Sequence, residues 1–142
     1  MDGDDMVAVE ARPRLGRVVR ALAVVAAIGL PVGLLWGGAQ PVAVGLIPEP
    51  WDKFAHAAVF GALAMAVGLA SGWRGARAQW LGFAVAMLVG VADEWHQVFL
   101  PGRSAGLDDL TADAVGAALG AWALRWRDPA RRWLLARWLS HR

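Results

Sequence analysis

Three long apolar runs dominate this sequence and leave it few possible folds. Residues 18–36 are apolar apart from Arg20, residues 54–71 apart from His56, and residues 79–92 carry no charge. A helix needs about 20 apolar residues to cross the core of a bilayer. Soluble domains contain about 25% charged residues, whereas this chain has 18% charged and 58% hydrophobic residues. The runs therefore predict an all-α, polytopic membrane protein.

A fourth segment, residues 107–126, is apolar except for a few polar positions near its two ends. Together the four segments predict a bundle of four transmembrane helices. Pro31, inside the first run, is compatible with a membrane span. A cleaved signal peptide is the alternative for the first run, but the run is longer than the roughly 7–15 apolar residues of such a peptide.

The placement of arginine predicts the orientation of the bundle. Arginines occur before or at the start of the first segment, between the second and third, and after the fourth: Arg12, Arg14, Arg17, Arg20, Arg74, Arg77, Arg125, Arg127, Arg131, Arg132, Arg137 and Arg142. The other two loops offer only Lys53 and Arg103. By the positive-inside rule, both termini are expected in the cytoplasm.

The same patterns divide the chain into three regions. Residues 1–16 are polar and mixed in charge, and we expect a disordered cytoplasmic tail. Residues 17–126 form the membrane domain. Residues 127–142 are basic and rich in tryptophan, which favours an interfacial segment that contacts anionic lipid.

Polar residues recur at similar depths in three of the segments. With a rise of about 1.5 Å per residue, His56, Asp93 and Asp113 each lie roughly 8–9 Å below the outer ends of their helices. On each helix the polar residues also share one face: Asp52, Lys53 and His56; Asp93, Glu94 and Gln97; Asp109 and Asp113 above Gly116 and Gly120. Carboxylates that face lipid are costly. The faces therefore predict a polar pocket at the outer side.

A purely structural role for these charges is the alternative to a polar pocket. Lys53 and Arg103 can pair with the aspartates simply to hold the bundle together. The carboxylates outnumber these two cations, however, and packing alone does not require such a surplus.

Gly116 and Gly120 form a G-x-x-x-G pattern, which allows close helix contact and predicts an oligomer through this pair.

Four short motifs, in order, resemble the VanZ-like family of bacterial membrane proteins. They are Asp52-Lys53 with His56, Asp93-Glu94 with Gln97, Pro101-Gly102-Arg103-Ser104, and Asp109 with Asp113, Gly116 and Gly120. They cover residues 50–120. The chain departs from the family at Asp113, where the family usually carries Asn.

The resemblance implies a multi-pass protein of the bacterial plasma membrane that acts in the cell envelope. The founding member of the family is associated with resistance to the glycopeptide antibiotic teicoplanin. A resistance role for this chain is therefore an expectation that rests on the resemblance alone.

Three functions fit these residues. The first is binding of a polar or anionic headgroup, from a membrane lipid or a lipid-linked cell-wall precursor. The ligand-binding residues would be Asp52, Lys53, His56, Asp93, Glu94, Gln97, Arg103, Asp109 and Asp113. The second is an enzyme acting on such a lipid, with His56 or Glu94 as general base. The third is a structural assembly subunit.

The sequence predicts neither a metal site nor a cofactor. His56, His96 and the carboxylates do not follow an established ligand spacing. Nucleic acid is not expected as a partner. Arg103 has two possible roles, a clamp on carboxylates or a receptor that binds an anion through its planar fork. We expect the receptor, with Arg103 in reach of Asp93, Glu94 and Asp109.

Overall fold

The computed structural model describes residues 3–127, with side chains from Gly16 onward, and this part of the chain is helical without any strand. The α-helices are α1 (Gly3–Gly38), α2 (Trp51–Ala70), α3 (Gly75–Gln97) and α4 (Leu107–Ala123). Short 3₁₀ helices cover Pro41–Ala43 and Leu124–Arg127. The predicted all-α class is confirmed.

Three helical segments are long and apolar enough to cross a membrane: Gly16–Gly38, Trp51–Ala70 and Gly75–Gln97. They coincide with the first three predicted segments. α4 is not among them, because it has only 17 residues and three of them are aspartates. A fourth crossing and the cytoplasmic position of both termini stay predictions.

The regional boundaries predicted from the sequence are only partly described. α1 begins at Gly3, upstream of the predicted membrane domain at residues 17–126. The sequence assigns residues 1–16 to a separate tail, and the side chains of that segment lie outside the described ones. The basic segment 127–142 also lies outside the described residues, apart from Arg127. These divisions stay predictions.

The turn between α3 and α4 follows from its sequence. The amide of Arg103 donates to the carbonyl of Leu100 at 3.2 Å, and Pro101 and Gly102 occupy the two central positions. Gly102 has a φ of 77°, which glycine adopts without steric cost. A Pro-Gly pair favours a tight turn of this kind, because proline fixes φ at the first central position and glycine allows a positive φ at the second.

α2 is the central helix, because it packs against α1, α3 and α4. The core is formed by Phe60, Leu63 and Ala64 of α2, with Ala86 and Ala117 of its neighbours. α1 adds partly buried leucines at the edge of this core, and most of its large apolar side chains remain exposed. Exposed apolar helix surface of this kind is what lipid tails cover in a membrane protein.

Glycines bring α2 and α4 into close contact below their polar ends. A Cβ at Gly116 would overlap the carbonyl oxygen of Ala57, and one at Gly120 would overlap that of Gly61. We call these four residues the glycine seam. The predicted close approach at Gly116 and Gly120 is therefore confirmed, with α2 of the same chain as the partner. An oligomer through Gly116 and Gly120 would have to displace α2, and it stays a prediction.

The two ends of the bundle differ in charge. One end, which we call the polar end, contains the end of α1, the starts of α2 and α4, and the end of α3. Its carboxylates come from α2, α3 and α4. The opposite, basic end carries the arginines of residues 16–127 other than Arg103: Arg17, Arg20, Arg74, Arg77, Arg125 and Arg127. This charge difference sets the polar end apart as the candidate site.

Candidate functional site

Lys53 joins the first turns of α2 and α4. Its Nζ lies 3.0 Å from Asp52 and 2.8 Å from Asp108, and it also donates to Asp109. An ammonium group has three donors, so all three are used within the chain. Asp108 and Asp109 also lie in the first turn of α4, where the helix dipole favours negative charge. Lys53 therefore stabilises the polar end as a bridge between two helices.

His56 and Asp113 meet one turn deeper. His56 Nδ1 lies 2.8 Å from Asp113 Oδ1, and the Asp113 side chain is fully buried. The imidazole also stacks on Phe60, with ring centroids 6.1 Å apart. When Asp113 is ionised, its carboxylate only accepts, and Nδ1 then carries the proton in this contact. The second oxygen of Asp113, Oδ2, has no partner among the described residues.

Gly90 of α3 makes room for this pair. A Cβ there would lie 2.9 Å from Asp113 Oδ2 and 3.4 Å from Phe60. Glu94 is one turn further along α3, on the same face as Gly90. The carboxylate of Asp113 therefore sits against α3, directly below the level of Glu94.

The end of α3 presents three buried polar residues on one face. Asp93, Glu94 and Gln97 are 3%, 9% and 5% exposed, whereas Trp95 is 68% exposed. This is the inward face predicted from the helical period, with Trp95 pointing away. Gln97 Nε2 donates to Asp93 Oδ2 at 2.9 Å. These contacts place one amide and two carboxyl groups against α2 and α4.

Glu94 links α3 to the start of α4. The backbone amide of Gly106, the N-cap residue of α4, donates to Glu94 Oε2 at 2.6 Å. The other oxygen, Oε1, is buried and has no partner among the described residues. Asp109 and Asp113 lie near enough to both Glu94 and His56 for their charges to interact. His56, Glu94, Asp109 and Asp113 thus belong to one cluster.

We define the polar cluster as the side chains that α2, α3 and α4 bring together at the polar end. Its members are Asp52, Lys53, His56, Asp93, Glu94, Gln97, Asp108, Asp109 and Asp113. Eight of the nine residues predicted to bind a ligand belong to it. Their binding of a ligand stays a prediction.

Arg103 is the ninth, and its contacts lie elsewhere. Its Nη2 and Nε donate to the carbonyl oxygen of Gly38 at 3.3 and 3.4 Å. Gly38 is the last residue of α1, where backbone carbonyls lack helical partners. No ion pair joins Arg103 to a carboxylate within residues 16–127. Arg103 therefore ties the α3–α4 turn to α1, and its role as an anion receptor stays a prediction.

A family model described as VanZ/LLP1 matches residues 16–128. The chain belongs to the VanZ-like family. The match covers α1 from Gly16 onward as well as the motif region, and so extends the resemblance seen from residues 50–120. Comparisons with curated proteins and with solved structures returned no match.

The departure of this VanZ-like protein from its family lies inside the cluster. Asp113 accepts from His56 Nδ1, and the side-chain oxygen of the family's usual Asn can accept in the same way. The contact that the structure shows therefore does not require an amide donor at this position. What Asp113 adds, when ionised, is a negative charge next to His56 that a neutral Asn would not carry.

Three residues of the cluster's surroundings were not predicted as part of the site. Asp108 takes part in the Lys53 network, Gly106 donates to Glu94, and Gly90 gives room to Asp113. The first two had a sequence signal, because they flank the predicted start of α4. Gly90 had a weaker one, since it lies one turn before Glu94 on the same face.

The cluster of this VanZ-like protein offers hydrogen-bond acceptors and few free donors. Its described His, Asp and Glu side chains do not form a group of three or more that converges to hold a metal ion. His56 Nε2 has no partner among the described residues, so it is available as an acceptor when Nδ1 carries the proton. The arrangement suits ligands that donate hydrogen bonds, and it offers one imidazole nitrogen for proton transfer.

Proposed function

We propose that this VanZ-like protein binds the polar headgroup of a lipid, or of a lipid-linked cell-wall precursor, at the outer face of the bacterial plasma membrane. One observation carries the proposal. Three helices bury Asp93, Glu94 and Asp113 together, and two of these carboxyl groups keep an oxygen without a partner among residues 16–127. Buried polar groups are normally hydrogen-bonded. A ligand with hydrogen-bond donors would supply the hydrogen bonds that these carboxyl oxygens lack.

The proposed topology has four crossings with both termini inside. α4 alone spans about 26 Å at 1.5 Å per residue. The 3₁₀ helix Leu124–Arg127 continues it by about 8 Å at 2 Å per residue, so that together they reach the roughly 30 Å of a bilayer core. The arginines at the basic end would face the cytoplasm. The polar end would then face outward, where cell-wall precursors are used.

The groups that would recognise the headgroup are the carboxylates and the amide of α3 and α4. Hydroxyls and amines donate hydrogen bonds to such groups. A phosphate would depend on Lys53, whose three donors are used within the chain, or on Arg103, which contacts the Gly38 carbonyl on the side of α1. Anion binding at Lys53 would therefore have to displace internal contacts. A donor-bearing part of the headgroup is the better fit to this geometry.

The family association suggests a readout in living cells. A protein that binds cell-wall precursors at the outer face would alter the response of the cell to teicoplanin, which acts on the wall outside the membrane. We propose a link to glycopeptide resistance on this ground. The support is family membership together with the outward cluster.

A second function, an enzyme acting on the same lipid, is favoured by the His56–Asp113 contact. A carboxylate that accepts from Nδ1 leaves Nε2 free to take a proton, as a general base does. Asp113 would hold the ring in place, and Glu94 would be a second acid–base group. Turnover of a purified lipid substrate separates this function from binding alone.

The test of the proposed function is Glu94→Gln, which removes the charge but keeps the shape and an oxygen that can accept from Gly106. The matched control is Glu49→Gln, the same change at an exposed loop position outside the cluster. Native mass spectrometry of the detergent-purified protein would measure retained lipid, and cells would be scored for teicoplanin susceptibility.

We expect Glu94→Gln to reach the membrane in normal amounts and to lose retained ligand by about tenfold or more, the effect of about 1.4 kcal/mol. Glu49→Gln should match the wild type. If Glu94→Gln retains lipid and function fully, the cluster serves assembly only and the binding proposal is wrong.

A further inference from the structure

Two carboxyl groups of the polar cluster have no cationic partner. Lys53 is shared by Asp52, Asp108 and Asp109, and His56 faces Asp113. Asp93 and Glu94 form no ion pair with any residue of the described chain between 16 and 127. Both lie on the buried face of α3.

Their hydrogen bonds do not replace a cation. Asp93 accepts from the amide of Gln97, and Glu94 accepts from the backbone amide of Gly106. A carboxylate can accept about four hydrogen bonds, and Glu94 Oε1 accepts none while being buried. Buried charges in proteins are normally paired, since leaving one unpaired is costly. The position next to Glu94 Oε1 is therefore one that a cation would fill.

Neighbouring side chains do not supply that cation. The guanidinium of Arg103 is held by the carbonyl of Gly38, on the side of α1. His96 follows Glu94 by two residues, and its Nδ1 is buried without a partner among the described residues. The positive charge is thus not supplied by the residues between 16 and 127.

The ammonium group of Lys53 shows how carboxylates of the cluster hold a positive charge. The ammonium of Lys53 sits among three carboxylates, each accepting one of its three N–H groups. A primary amine on a ligand presents the same three donors. Divalent metals fit less well, because the described residues do not bring three or more ligating groups to one point.

We propose that Asp93 and Glu94 recognise a protonated primary amine on the headgroup that the cluster binds. This inference rests on the proposed function and specifies its ligand class. Glu94 Oε1 takes one N–H directly, and the neighbouring carboxylates of Asp93 and Asp113 supply the remaining acceptors. An anionic headgroup is rejected, because it meets the same carboxylates with like charge.

The test compares three lipids that differ in charge and in N–H donors. The full chain is reconstituted in vesicles that contain equal parts of phosphatidylethanolamine, phosphatidylcholine and phosphatidylglycerol, then extracted and analysed by native mass spectrometry. Phosphatidylethanolamine has an ammonium with N–H groups, phosphatidylcholine has a cation without them, and phosphatidylglycerol is anionic. We expect phosphatidylethanolamine to be enriched about fivefold or more over both of the others.

Variants assign the preference to the cluster. Glu94→Gln should remove the enrichment, Asp93→Asn should reduce it, and Glu49→Gln should leave it unchanged. Asp93→Asn carries the test if Glu94→Gln does not fold, as judged by size-exclusion chromatography. Free ethanolamine, added to the extracted protein, distinguishes the two sources of the amine. Displacement of the lipid shows that the amine alone suffices, and no displacement shows that the amine must be lipid-borne.

Two results would overturn the inference in different ways. Equal or greater retention of phosphatidylglycerol or phosphatidylcholine, lost in Glu94→Gln, means that the cluster binds a headgroup but not through an amine. In that case the proposed function stands and the inference fails. No retained lipid in the wild type, together with normal function of Glu94→Gln, means that the proposed function itself is wrong.

Discussion

The polar cluster and the glycine seam bring the same two helices together by opposite means. In the seam, α2 and α4 touch because Gly116 and Gly120 have no side chain to keep them apart. In the cluster, one turn further out, the helices are joined by Lys53 and by the contact between His56 and Asp113. The seam contains nothing beyond what packing needs, whereas the cluster contains carboxylates that packing does not explain.

This difference separates residues that hold the bundle together from residues that we propose to bind a ligand. The seam, the Lys53 bridge and the hydrogen bond from Gly106 to Glu94 Oε2 do not account for Glu94 Oε1, which is buried without a partner among the described residues. Proteins keep such groups at sites where a ligand or a reaction uses them. Changes in the seam should therefore act on folding, and changes at Glu94 should act on function.

The largest expected effect is an all-or-none difference in labelling between the two ends. The chain has no cysteine, so Ser104→Cys and Ala76→Cys each introduce a single thiol at an exposed position of a turn or helix start. An impermeant thiol reagent on intact cells should label Ser104→Cys and miss Ala76→Cys. Permeabilised cells, in which both are labelled, serve as the control.

Labelling of Ala76→Cys on intact cells would show that the predicted orientation is wrong and that the polar cluster faces the cytoplasm. Ala76 is a better labelling position than the neighbouring Gly75, because the φ of 61° at Gly75 would strain a cysteine.

The next effect is on folding through the seam. Gly116→Leu would drive a side chain into the backbone of Ala57, and overpacking of this kind costs about 1–3 kcal/mol or more. We expect at least about tenfold less monodisperse protein after extraction. The matched control is Gly33→Leu in α1, where no heavy atom lies within 4 Å of the added Cβ. Equal yields of the two variants would show that the seam does not hold α2 against α4.

A smaller effect is expected at the bridge. Lys53→Met leaves Asp52, Asp108 and Asp109 without their shared cation, so like charges repel between the first turns of α2 and α4. We expect the melting temperature in detergent to fall by about 3–6 °C. Lys53→Arg, which keeps the charge, should recover most of the loss. A variant Lys53→Met as stable as the wild type would mean that the bridge contributes nothing.

The smallest effect is expected at Arg103. Its contact with the Gly38 carbonyl is a partly buried hydrogen bond that ties the α3–α4 turn to α1. This contact is neither the clamp on carboxylates nor the anion receptor considered from the sequence, and both roles stay predictions. Arg103→Ala should lower the melting temperature by about 1–3 °C, and Arg103→Lys should keep most of the stability and the lipid retention. Loss of lipid retention in Arg103→Lys at normal stability would instead establish the anion receptor.

Much of the fold followed from the sequence because it depends on local patterns. The apolar runs predicted the three candidate membrane helices, and the turn before α4 has the Pro101-Gly102 pair that is typical of tight turns. The helical period placed Asp93, Glu94 and Gln97 on a buried face and Trp95 on an exposed one. α4 remains the exception, since its aspartates shorten its apolar part below that of a clear membrane span.

The sequence alone determined most of the residues that meet at the polar end, because helix rise and period set depth and face for each segment separately. Only the tertiary structure decided which of them pair. In the structure Lys53 contacts three aspartates, and Arg103 donates to the carbonyl of Gly38. Glu94 Oε1 has no partner among the described residues. Such pairing depends on the rotation and spacing of one helix against another. Those are set by the glycine seam and the core, and by contacts between segments far apart in the chain.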